Sequence, residues 1–217
     1  MSGVDGAGVL HLAGSARDLA VFAERAARHD PGTPVRLVAV GSTLAAFVTT
    51  PFEALGLRAT RLSEPADLDV LVEAVGLGAR ARAVAGGRLM LPPRLPALVW
   101  TSPLPPRSGW AEVGRLDVAE VAARVEDDTA EFTRQAQQVP AGRGANAALE
   151  GIAADLWARP LLGSAPSRLA HTAHYLGFLS QDGGQVVVRS IGAWHRLDTS
   201  AGVALARVGD PLGLFVS

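Results

Sequence analysis

Six prolines fall between Pro92 and Pro106. Each fixes φ and removes a backbone N–H, which keeps this stretch out of helix interiors and central strands and favours extended or polyproline geometry. On this reading the 217-residue chain divides into an N-terminal region at 1–91, a connector at 92–109 and a C-terminal region at 110–217. Leu98, Val99 and Trp100 are apolar enough to pack as a strand, so one continuous domain fits the same residues equally well.

Composition removes chemistry. All 20 basic side chains are arginines, 39 residues are alanine and none is cysteine, the skew of a GC-rich genome of the actinobacterial kind. No lysine can form a Schiff base or reach into a phosphate loop, and no thiolate can act as nucleophile or ligand. With 48% hydrophobic and 19% charged residues the chain can fill a core. A net charge of -1 gives no long-range pull on nucleic acid or anionic lipid. No window approaches the roughly 18 apolar residues of a membrane span, and the start MSGVDGAGVLHLAG lacks the basic opening of a signal peptide. The expectation is a cytoplasmic protein with no membrane association, with nucleic acid an unexpected partner.

Apolar spacing then sets the elements. Val9 to Ala13 suits a strand, and Ser15 with Asp18 makes a capping box ahead of Leu19, Phe22, Ala23 and Ala26, predicting a helix at 16–29. Val35 to Val40 and Leu44 to Thr50, parted by Gly41 and Ser42, predict a hairpin. Leu57 to Leu62 reads as a strand, and Ser63 with Pro65 as the opening of a helix through Val75. Beyond the prolines, Asp117 and Glu120 form a second capping box before a helix to about residue 138, with Val118, Val121, Ala122, Val125 and Phe132 on its apolar face. Helices around Leu149–Leu156 and 166–179 follow, then three short stretches, 186–189, 194–197 and 203–208, that read as a β-meander. The fold class expected is α+β: an N-terminal half mixing helix with antiparallel strands, and a C-terminal half of about three helices followed by the meander.

Four groups of residues invite a functional reading. His171 and His174 stand at i, i+3 on one helix, and His195 on the meander can join them in a zinc site with an open position, although no HExxH spacing accompanies them. Half-buried histidines packed on Tyr175 and Phe178 explain the same pattern without a ligand. Three helices and a meander also outline a winged helix, with 166–179 as recognition helix, but residues 139–217 carry six arginines against five carboxylates, too few for a basic face. The carboxylates Glu120, Glu126, Asp127, Asp128 and Glu131 fit a solvated helix face laced by Arg124, or an acidic strip that meets a basic partner. Arg107 and Trp110 on the stiff proline segment suit a partner-binding hot spot or a loop pinned by its tryptophan.

The pattern Gly76-Leu-Gly78-Ala-Arg-Ala81 matches a dinucleotide fingerprint, but no carboxylate lies about twenty residues on, and a glycine-rich loop fits better. The chain also lacks a phosphate loop, a GxSxG elbow, CxxC pairs and an EF-hand pattern. No constellation supplies nucleophile, oriented base and stabiliser together. The expected function is therefore a non-catalytic protein-binding or self-associating module with no cofactor, its partner another protein or a second copy. The alternatives are a metal-dependent or acid/base enzyme centred on His171, His174 and His195, and a winged-helix DNA-binding regulator.

Overall fold

The computed structural model of the chain describes residues 8–180 and 182–209. It is an α+β fold, as the apolar spacing predicts, with five helices and antiparallel strand pairs among the described residues. The chain forms two compact units, one drawn from the chain up to Thr50 and from Leu55–Leu104, the other from Pro51–Ala54 and from Pro105 onward.

In the first unit the elements run β1 (Val9–His11), α1 (Arg17–Ala26), β2 (Pro34–Thr50), β3 (Ala54–Glu73), α2 (Ala74–Arg82), β4 (Arg88–Met90) and β5 (Arg94–Leu95). β1 pairs antiparallel with β4, and β2 neighbours β3, whose far end takes β5 at Leu71 and Val72. α1 buries Leu19, Ala20, Phe22, Ala23 and Ala26 against α2, which turns Leu77, Gly78 and Ala81 inward. Phe22 alone, 2% exposed, contributes on the order of 2 kcal/mol by leaving water.

Four expectations for this unit are corrected. The stretches on either side of Gly41 are one strand, not two: buried positions fall at 35 and 37–39 before it and at 44, 46–48 and 50 after it, with 40–43 exposed between them. Gly41 has φ of 58°, and the chain runs on through it as strand where a turn was expected. Residues 63–73 are strand, since pairing with β5 holds this end of β3 extended, and the helix begins only at Ala74. The Ser15–Asp18 capping box is not formed: Asp18 is drawn to Arg58, and the Ser15 hydroxyl accepts from the Arg17 N–H instead. The glycines of the GxGxxA pattern lie on a helix rather than in a loop, and a side chain on Gly78 would press on Glu24 and Ala23 of α1.

In the second unit the order is β6 (Ala111–Asp117), α3 (Val118–Ala136), α4 (Ala145–Ala158), β7 (Pro160–Leu162), β8 (Ala165–Pro166), α5 (Arg168–Tyr175), β9 (Gln185–Ile191), β10 (Trp194–Asp198) and β11 (Val203–Arg207). β9, β10 and β11 are the expected meander, extended by β6 on β9 into an antiparallel sheet. Glu120 closes the second capping box by accepting from the Asp117 N–H at 2.8 Å. α3 packs on α4 and α5, and α5 lies on β10 and β11. Val186, Val188, Leu197, Leu205, Leu169 and Phe178 fill the layer between helix and sheet.

α5 is not a recognition helix. Leu169, Ala170, His171, Thr172 and Ala173 are all buried, so its length is spent on the core and cannot lie in a DNA groove.

Candidate functional site

The apolar stripe of α3 steps through Val118, Val121 and Val125 and arrives at Asp128, which is 2% exposed. A carboxylate there needs partners, because unpaired burial of a charge costs several kcal/mol. α5 supplies them. Ser167, at its start, donates its hydroxyl to Asp128 Oδ2, and His171 Nε2 lies 3.1 Å from the same oxygen. Arg124 Nε stands 3.6 Å from Oδ2 and Arg159 Nη1 3.9 Å from Oδ1. Arg124 is held there by donating to the Pro160 carbonyl at 2.7 Å. The carboxylate strip is thus not wholly solvated: Glu126 and Asp127 are exposed, whereas Asp128 anchors α5 to α3.

Beside this cluster opens a cleft of about 540 Å³. Its walls are Phe132 of α3, Leu149, Ala153, Leu156 and Trp157 of α4, and the turn Pro51–Phe52–Glu53; Asp128 and His171 line it too. Phe52 meets Trp157 edge-on at 5.2 Å, lies 5.4 Å from the His171 ring and meets Tyr175 at 5.8 Å. Glu53 holds a left-handed φ of 53° and pairs with Arg168 at 2.8 Å, which fixes the turn that carries Phe52. Volume and apolar lining are those of a ligand site.

Burial lowers the proton affinity of His171 below its usual 6.5, with Asp128 pulling the other way. His195 is also lowered, by burial alone; it alternates with Leu197 on the inward face of β10, and its Nδ1 makes no hydrogen bond. His174, three residues after His171, is exposed. Among the described residues no group of three His, Cys, Asp or Glu side chains is placed to hold a metal ion. His171 is engaged with Asp128, His174 is exposed and His195 is buried on β10, so the three rings stand in different environments. Arg107 is exposed. Trp110 donates its indole N–H to Pro106 O at 3.0 Å and takes the Arg196 guanidinium over its ring at 5.2 Å.

Ser167 and Phe52 went unread in the sequence, and Asp128 was read only as one of a row of carboxylates on a helix face. The legible signal was the place of Asp128 on the apolar stripe between Val125 and Phe132. Nothing local marks Ser167 or Phe52 as its neighbours, because they come from segments 39 or more residues away.

The fold is that of DNA sliding clamps. The chain is similar to a DNA polymerase sliding clamp from Caulobacter crescentus (TM-score 0.53, 12% identity, 94% of this chain and 67% of that one). It is also similar to the clamp, DNA polymerase III subunit beta, from Bartonella birtlesii bound to griselimycin (TM-score 0.52, 13% identity, 96% and 67%). A third is the DNA polymerase sliding clamp from Pseudomonas aeruginosa with ligand (TM-score 0.50, 14% identity, 96% and 66%). The chain spans about two thirds of the length of these clamps, and at such identities the likeness is one of fold. Residues 7–102 match the family model described as Domain of unknown function (DUF8010), and residues 105–211 that described as Domain of unknown function (DUF8185). No curated protein matches. Among the described residues no helix is long and apolar enough to cross a membrane.

Proposed function

We propose that the chain is a non-catalytic protein-binding module of sliding-clamp-like fold, which docks an apolar segment of its partner in the cleft between α3, α4 and the Pro51–Glu53 turn. The observation that carries this reading is the lining of the cleft: two aromatic side chains besides Phe52 face it, and its buried polar atoms are already joined to one another. A nucleophilic triad needs serine to give its proton to histidine while the acid orients that histidine. Here the carboxylate is the hub, and Ser167 and His171 both engage Asp128. An apolar site with a spent polar floor supports binding by surface burial rather than by proton transfer.

Selection of displayed random peptides on the full chain tests this. Enrichment of apolar peptides that lose binding to Phe132→Glu and Leu149→Glu variants is the expected result. Failure to enrich any, or binding indifferent to both variants, overturns it. A fold shared with sliding clamps of a DNA polymerase gives no support to setting nucleic acid aside, and contact with DNA is the second reading. Its signature is an affinity that falls steeply with salt.

A further inference from the structure

We infer that the cleft is filled by a second copy of this chain, through the turn that carries Leu98; this rests on the docking role proposed above. Leu98 is 91% exposed and Val99 47%, the former the most exposed large apolar side chain among the described residues. Side by side on a well-held segment, the two form an apolar tip that a concave apolar site can take up. The segment is well held. Ala97–Val99 is a single 3-10 turn, closed by Val99 N–H to Pro96 O and Trp100 N–H to Ala97 O, both 3.2 Å. β5 secures its start on β3, the Trp100 indole donates to Ser102 O at 2.6 Å, and Pro93, Pro96 and Pro103 stiffen the backbone. A rigid turn loses little entropy on docking.

Charge chooses between this occupant and an unrelated apolar segment. From Ala74 to Ala111 the sequence holds five arginines and no carboxylate, Arg94 being exposed four residues before Leu98. The cleft lining holds no arginine; of its carboxylates Glu53 and Glu150 are exposed, Glu53 paired on one side with Arg168, while Asp128 is buried and already engaged. A turn with an apolar tip and the exposed Arg94 beside it thus meets an apolar cleft edged by Glu53 and Glu150, the complementarity that selects partners and register. Each copy carries one turn and one cleft, so the contact joins unlike surfaces.

Sedimentation velocity on the full chain reads the outcome. Wild type is expected to associate with rising concentration, and Leu98→Asp and Phe132→Glu are each expected to weaken association at least about tenfold. Leu98 is so exposed that its replacement leaves the fold intact. Mixing the two variants is expected to give a one-to-one complex, since the first retains its cleft and the second its turn. A wild type that stays monomeric, a Leu98→Asp variant that associates like wild type, or a mixture that forms no complex overturns the inference. Peptide selection on Leu98→Asp separates the two readings: enrichment at its cleft with a monomeric wild type leaves the docking role standing and removes self-association alone.

Discussion

His171 Nε2 lies 3.1 Å from Asp128 Oδ2, with side chains 8% and 2% exposed, and this contact ties α5 to α3 behind the cleft. Burial dominates the ring and lowers its proton affinity below 6.5. The unfolded chain therefore takes up the proton first, and folding stability, complete above about pH 6.5, falls as the pH drops below it by up to about 1.4 kcal/mol per unit for each such histidine. His195 shifts in the same direction. Urea midpoints measured between about pH 7.5 and 5 are expected to fall with pH, and His171→Gln is expected to flatten that fall without abolishing it. An unchanged slope in the variant would show that the ring titrates alike in both states.

The shared oxygen makes Ser167 and Asp128 energetically dependent. Asp128→Ala leaves a buried serine hydroxyl and His171 without their acceptor, and is expected to cost about 3 kcal/mol. Ser167→Ala is expected to cost about 1 kcal/mol. Together they are expected to cost less than the sum, because each removes the same bond. Strict additivity in a double-mutant cycle of urea denaturation would place Ser167 outside the cluster.

The turn between β10 and β11 folds back on Thr199, whose hydroxyl accepts the Ala201 and Gly202 N–H groups at 3.1 and 3.0 Å. A methyl group on Gly202 would meet the buried Phe178 ring at 2.5 Å. Gly202→Ala is expected to destabilise by about 1–3 kcal/mol through overpacking. Gly142, open on all sides though at φ of 148°, would bear only the backbone penalty of the same substitution. A thermal midpoint for Gly202→Ala equal to wild type would mean the ring moves freely aside.

Much of the second unit could be read from spacing, because its helices and meander keep one period and one buried face each. The first unit was harder. Leu68, Leu71, Val72 and Val75 satisfy the helical spacing i, i+3, i+4, i+7, while Asp67, Leu68, Asp69 and Val70 alternate as a strand does. Pairing of Leu71 and Val72 with β5 decides the matter, and that is a tertiary fact. Gly41 likewise reads as a hairpin turn or as a point inside one continuous strand until its neighbours are known. In the site, Asp128 betrays itself by occupying an apolar position, but its partners lie 39 and 43 residues further on. Charge count and helix period carry no trace of that distance.

Glu53 offers a test of how the cleft turn is held. It is the one non-glycine residue with positive φ among the described residues, at 53°, and its carboxylate meets Arg168 at 2.8 Å while staying 71% exposed. A pair that open to water contributes little, about 0.5 kcal/mol, whereas the left-handed backbone of a residue with a Cβ costs about 1–2 kcal/mol. Glu53→Ala and Glu53→Gly both lose the carboxylate, but only glycine relieves the backbone. The glycine variant is therefore expected to be the more stable of the two by about 1 kcal/mol in chemical denaturation. Equal stability would mean that the backbone at Glu53 carries no strain.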